Sequence, residues 1–261
     1  MGAQMIRIGS LFAGIGGFEL GLERAIPNST TLWQVEQDKF CQRILQKHWP
    51  SATIYDDVKN ITKDNVEPID ILCGGFPCQD ISIAGNKKGI IKDETKSGLW
   101  WEMHRIIHEL RPNIAVLENV RAITFRGGQQ VIGSLAEIGY DCEWGIISAR
   151  EFGAPHKRER WFCIAYPIIQ RLQKKNAESL RFESKQERIW CSTTSTTTYR
   201  STTYTTGKGY WRASHPEPLI CRVDDGVPRR LDNSRLKALG NAIVPQCSEW
   251  IGKQILESGL L

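Results

Sequence analysis

Apolar residues in the first two-thirds of the chain fall into two kinds of run. Short dense ones, "IRIGSLF" from Ile6, "TLWQVE" from Thr31, "IDILCG" from Ile69, "NIAVLEN" from Asn113, "CEWGIISA" from Cys142 and "RWFCIAY" from Arg160, are rich in β-branched and aromatic residues and predict strands. Between them "DKFCQRILQKHW", "GLWWEMHRIIHEL" and "GQQVIGSLAEIG" carry their apolar residues at helical spacing. The alternation predicts an α/β fold, a largely parallel sheet covered by helices. Right-handed crossovers make such a sheet doubly wound.

This pattern stops after Tyr166. Of the fifteen positions 192 to 206, 12 are Ser or Thr, interleaved with Tyr199, Arg200 and Tyr204. Such composition reads either as a solvated loop or as a nucleic-acid surface on which hydroxyls and arginines meet phosphates and bases. Order returns at about Leu236 with "LKALGNAIVPQCSEWIGKQILE", a glycine-containing turn followed by an amphipathic helix. The expected organisation is therefore a main domain over 1–166, a small domain over 167–235 and a C-terminal segment over 236–261.

At 261 residues the chain is long enough for one sizeable core. Charge alters the picture more than composition does. Lys and Arg number 34 against 29 Asp and Glu, a net +5, yet Pro167 to Arg230 alone holds 12 basic and 6 acidic residues. That local +6 leaves −1 for the remainder and marks the segment as the candidate polyanion face. The eight cysteines form no Cys-x-x-Cys pair and have no accompanying histidine spacing, so no metal site is expected and the thiols read as reduced. Glu19 and Glu23 interrupt the apolar opening, which argues against an export signal. With no apolar stretch long enough to span a membrane, the expectation is a cytoplasmic protein without a membrane partner.

Two turns carry the candidate chemistry. "LFAGIGGFELGLE" sets Gly14, Gly16 and Gly17 between a strand and a helix, where a backbone can approach a ligand and helix amides are free. Glu36, at the end of the next strand, is placed to bind ribose hydroxyls, and Asp56 and Asp57 to accept from an adenine amino group. Together they indicate an adenosine-bearing cofactor, either a dinucleotide or S-adenosylmethionine. The second turn, "LCGGFPCQ", puts Cys78 at the same carboxyl edge of the sheet. It reads as a packed hydrophobe or as a positioned nucleophile. "VLENV" adds Glu118 and Asn119, and "HKRER" adds Arg158 and Arg160 on one side of an alternating segment.

"LFAGIGGFELGLE", "VEQD", "DDV", "GGFPCQDIS", "ENV", "HKRERWF" and "LKALGNAIVPQ", in that order, resemble the DNA (cytosine-5) methyltransferases through nearly the whole chain except residues 167 to 221. The resemblance implies a Rossmann-like S-adenosylmethionine methyltransferase sheet with helices on both faces and a small target-recognition domain. It implies S-adenosylmethionine as cofactor, S-adenosylhomocysteine as product and duplex DNA as partner. A flipped cytosine would be methylated at carbon 5 through a covalent Cys78 adduct. Pro77 would fix the turn of Cys78 and Glu118 would protonate ring nitrogen 3 with Asn119 beside it. Arg158 would serve as the electrostatic partner, and Arg160 would order the site.

For the cofactor, the resemblance implies Phe12, Ala13, Gly14, Ile15 and Gly17 at the methionine part and adenine edge. It adds Glu36 at ribose, Gln37, Asp57 and Val58 at adenine, Gly75 and Leu99 along the wall, and Asn241 and Ala242 from the final turn. Ser82, Lys87 and Lys88 fall on residues 82 to 89, which resemble the family's loop that closes over the base, and Gln79 is a further candidate DNA contact. Arg200, Lys208 and Arg212 are candidate DNA contacts in the basic segment. Gln37, His156 and Ala84 depart from the residues many members carry. A monomer is expected, with any cognate restriction endonuclease on a separate chain. Two rival readings stand beside this one, an RNA (cytosine-5) methyltransferase acting on transfer RNA and a catalytically silent DNA-binding module.

Overall fold

The structure, a computed structural model, describes residues 4–77, 99–173 and 229–261. In chain order the elements are β1 (Ile6–Leu11), α1 (Gly17–Ala25), β2 (Ser29–Val35), α2 (Lys39–His48), β3 (Thr53–Tyr55), β4 (Ile71–Gly75), α3 (Leu99–Leu110), β5 (Ile114–Val120), α4 (Gly128–Glu137), β6 (Tyr140–Ser148), β7 (Glu159–Pro167), α5 (Ile168–Gln173), α6 (Arg229–Asn241) and α7 (Pro245–Ser258). All six expected strands and the expected helices are present. The added strand, β3, has three residues that are exposed or half-buried, so it lacks the apolar density that marks the others.

One seven-stranded sheet runs in the order β3-β2-β1-β4-β5-β7-β6. β1 pairs in parallel with both β2 and β4, and β5 pairs in parallel with β4. β7 is antiparallel to β5 and to β6. This reversal, invisible to a pattern of apolar runs, brings the start of β7 to the sheet edge where β1, β2, β4 and β5 end. The chain turns back on either side of β1, so the crevice between its end and that of β4 is the place where open α/β sheets take ligands.

Helices cover both faces. Trp100, Met103, Ile106 and Ile107 of α3 pack with Val131 and Leu135 of α4 on one side. Phe18 and Leu22 of α1 and Ile251 and Ile255 of α7 pack on the other, against Ile8, Ile71 and Ile114. α1 and α7 come close because glycine faces each way: a Cβ on Gly21 would stand 2.3 Å from the Pro245 carbonyl oxygen, and one on Gly252 2.6 Å from the Ala25 Cβ. The C-terminal segment thus packs back on the main domain. α6 runs unbroken across the expected boundary between 235 and 236.

Under α1 lies a polar layer. Ser10 of β1 is flanked across the sheet by Gln34 and Cys73, and Glu19 is fully buried above them, accepting from Gln34 Nε2 at 2.9 Å. Burial raises the Glu19 carboxyl pKa. A raised folded value means that the associated stability is complete below the ordinary carboxylate range and is lost as pH rises through the folded value. Glu19→Gln keeps the shape and removes the titration, and its amide can donate to Gln34 Oε1, which has no partner among the described residues. The variant is expected to melt higher at alkaline pH, by about 2–4 °C if ~1 kcal/mol is recovered. Thermal melts of both proteins from pH 5 to pH 9 check this, and curves that stay parallel contradict it.

Among the described residues no helix is long and apolar enough to cross a membrane. The basic segment with Arg200, Lys208 and Arg212, and the turn with Cys78, Gln79, Ser82, Lys87 and Lys88, lie outside the described residues, as does most of the expected small domain.

Candidate active site

A cavity of about 350 Å³ opens at the carboxyl ends of β1, β2, β4 and β5. The glycine turn forms one wall. Phe12 (φ 55°), Gly14 (φ 57°) and Gly16 (φ 87°) are left-handed, which for Gly14 is the whole requirement, since a Cβ there would meet nothing within 4 Å. That open space faces the cavity, which Phe12, Ala13 and Gly14 line. Glu36 braces the turn: Oε2 accepts from the Gly14 N–H at 2.7 Å and Oε1 from the Asp38 N–H at 2.8 Å. A carboxylate has lone pairs to spare after two such bonds.

Of the expected cofactor residues, Phe12, Ala13, Gly14, Glu36, Gln37, Val58, Gly75, Leu99, Asn241 and Ala242 line the cavity together with Pro77. Ile15, Gly17 and Asp57 do not. Gly17 instead lets the last turn come close, since a Cβ on it would lie 2.3 Å from the Ile243 carbonyl oxygen. The Asp57 side chain accepts from the Lys59 N–H at 3.0 Å and caps a short helical turn, while Asp56 is held by Lys39 at 2.9 Å. Sequence reasoning missed Asp38, Cys41 and Lys237 on the wall. Asp38 stands before α2 as its N-cap, accepting from the Phe40 N–H at 2.9 Å, and that bond chiefly holds its pKa down. The Cys41 thiol is pushed up by burial to about 12 and stays un-ionised, so it behaves as an apolar wall residue.

The opposite wall carries the acid. Gly75 of β4 stands in register with Glu118 of β5, and a Cβ on Gly75 would sit 2.6 Å from Glu118 Oε2. The missing side chain is therefore the space in which the carboxyl lies. Across the antiparallel pair, Glu118 faces Phe162, so Arg160, two residues away, shares its face. Its Nε reaches Glu118 Oε1 at 3.1 Å. Burial pushes the Glu118 carboxyl up to about 7 against the pull of Arg160 and then Arg158, so near neutrality it can give or take a proton. Gly75→Ala is expected to fold but to displace the carboxyl from Arg160. Its single-turnover rate should fall by about 10- to 100-fold, the scale of an ångström-sized misplacement, and an unchanged rate would show that the space is not needed.

Strand alternation puts Arg158 on the same side as Arg160, but β7 begins only at Glu159 and Arg158 is left-handed (φ 33°). Its guanidinium turns to the carbonyls of Gly240 and Ala242. Asn119 is buried and acts on the backbone: Nδ2 donates to the Phe76 carbonyl at 3.1 Å, and Oδ1 accepts from the Val120 N–H at 2.8 Å. Phe76 in turn packs on Trp100 with ring centroids 5.2 Å apart. The approach to Pro77 is thereby fixed from β5 and α3.

Comparison with known proteins places the chain in a family. The model of the family described as C-5 cytosine-specific DNA methylase matches residues 6–215. The Type II methyltransferase M.Bsp6I of Bacillus sp. (strain RFL6) is 33% identical over 171 residues, covering 64% of this chain and 54% of its own. The Type II methyltransferase M.CviJI of Paramecium bursaria Chlorella virus IL3A is 38% identical over 157 residues, covering 59% and 41%. The chain thus spans about half the length of these relatives. In fold it resembles the Entamoeba histolytica methyltransferase EhMeth, with a TM-score of 0.54 at 19% identity over 62% of this chain and 53% of that one. Since the family match takes in both the glycine turn and the Glu118 wall, the chain belongs to the C-5 cytosine-specific DNA methylases.

Proposed function

We propose that the protein transfers a methyl group from S-adenosylmethionine to carbon 5 of a cytosine flipped out of duplex DNA. The observation that carries this reading is the cavity itself, with Glu36 bracing an open glycine turn on one wall and Glu118 paired with Arg160 on the other. Its volume of about 350 Å³ lies within the range of small-molecule sites. Phe12, Val58 and Leu99 offer apolar surface to a purine and Glu36 an acceptor for ribose hydroxyls, so these residues suit the cofactor. Asn241 and Ala242 complete that side.

When bound, S-adenosylmethionine supplies a methyl group on a sulfonium sulfur. The residues do the rest. Cys78, which follows the Phe76–Pro77 pair in sequence, adds as thiolate to carbon 6, while Glu118 gives its proton to ring nitrogen 3. Carbon 5 becomes nucleophilic because the adduct is a neutral enamine. Once carbon 5 carries the methyl group, nitrogen 3 returns its proton to Glu118. A water then takes the carbon 5 proton as the carbon 6–sulfur bond breaks, which releases Cys78 as thiolate and restores the ring. Arg160 steadies the Glu118 carboxylate while the proton is away. Residues 167–235, with their excess of positive charge, supply target recognition in this reading.

The test is transfer of labelled methyl to mixed-sequence duplex DNA and, in parallel, to transfer RNA, followed by base analysis. Label in 5-methylcytosine from DNA is expected. Label only in RNA would overturn the substrate, and no label in either would overturn the activity.

A further inference from the structure

α6 ends at Asn241 with no basic residue in its last turn, although its final carbonyls have no partners within the helix and form the negative end of its dipole. The cation that meets them comes from 82 residues earlier. Arg158 Nη2 donates to the Gly240 carbonyl at 2.9 Å and to the Ala242 carbonyl at 2.5 Å. To reach them it adopts a left-handed backbone, a cost that a side chain with ordinary surface duties has no reason to bear. Gly240, Asn241 and Ala242 are all on the cavity wall.

We infer that Arg158 is a positioning residue that clamps the turn between α6 and α7 over the cavity, making the C-terminal segment a working wall of the cofactor site. The inference rests on the reading of the cavity as that site. It differs from the electrostatic role at the base that the resemblance implies for this arginine. The outer contact between the same elements, Lys237 Nζ to Asp38 Oδ2 at 3.1 Å, has Lys237 67% exposed and contributes little by comparison. Arg158 is the inner tie, fixed at its other end by β7, whose next outward-facing residue holds Glu118. Geometry is therefore passed from the cofactor wall to the acid through Arg158, just before β7, and Arg160 within it.

The experiment is calorimetric titration of S-adenosylhomocysteine into the wild type, Arg158→Ala and Arg158→Lys, with hydrogen exchange followed in the bound state. Arg158→Ala is expected to bind about 10- to 100-fold more weakly, from the loss of two charge-assisted hydrogen bonds to that turn. Arg158→Lys should recover part of that affinity, since it keeps the charge but not the planar donor. Exchange protection in Arg158→Ala should fall at residues 240–244 and persist in β4 and β5. Wild-type protein that fails to bind would overturn the reading of the cavity. A wild type that binds alongside variants of equal affinity would overturn the clamp alone, as would protection lost throughout the sheet.

Discussion

Cys78→Ala is expected to abolish methyl transfer to DNA while S-adenosylhomocysteine still binds. Carbon 5 of cytosine is too weak a nucleophile to take a methyl group unaided, and the proposed route gives it electrons only through a bond at carbon 6. Without the sulfur there is no adduct for Glu118 to protonate. Loss of a covalent nucleophile costs on the order of 10⁴- to 10⁶-fold in rate, so methylated DNA should drop below detection. Cofactor affinity is expected to hold, because the glycine turn, Glu36 and the α6–α7 turn do not depend on the thiol. The other described cysteines cannot substitute: Cys73, Cys142, Cys163 and Cys247 are buried and off the cavity wall, and the Cys41 thiol, on the wall, is pushed up to about 12 and stays un-ionised. The check is a paired measurement of label in DNA and calorimetric binding. Residual methylation at a tenth of the wild-type rate would sink the covalent mechanism, and loss of both activities would point to a collapsed turn.

Glu118→Gln is expected to slow single-turnover methylation by about 10²- to 10⁴-fold, the usual worth of a positioned general acid. The glutamine fills the space left by Gly75 and can still hydrogen-bond, but it has no proton to give. The pH profile discriminates further. With the Glu118 carboxyl at about 7, its acid form is complete well below that pH and is lost as pH rises through it. Cys78 needs the opposite, since a free thiol ionises only near pH 8.5. The wild-type rate should therefore rise on the acid side with Cys78 and be limited on the alkaline side by Glu118, with a maximum between about pH 7 and 8. In Glu118→Gln the alkaline limb should vanish and the residual rate should keep climbing with pH. An alkaline limb that survives the substitution would assign it to another group.

Stability follows the same sign. Glu118 and Glu19 both have carboxyls raised by burial, so each favours the folded state most in its protonated form. Their roles differ by surroundings: Glu118 faces a cavity with Arg160 at 3.1 Å, whereas Glu19 is closed under α1 against Gln34. One has access to a substrate and the other does not.

By itself the sequence determined the α/β class, six of the seven strands and the order of motifs that names the family. These are local or pairwise patterns: apolar runs long enough to be buried, glycines where φ must be positive, and side-chain types that few chemistries require together. Tertiary structure alone decided the rest. The antiparallel insertion of β7 put Arg160 beside Glu118, because strand direction depends on connections that an apolar run does not encode. The left-handed break at Arg158 overrode the alternation that pairs it with Arg160 and sent its guanidinium to the α6–α7 turn. The Asp57 side chain also caps a short helical turn through the Lys59 N–H, a contact that the order of motifs does not announce. Asp38, Cys41 and Lys237 entered the wall only when α2 and α6, nearly 200 residues apart, were brought together. Residue type sets what a side chain can do, and long-range packing sets which partner it meets.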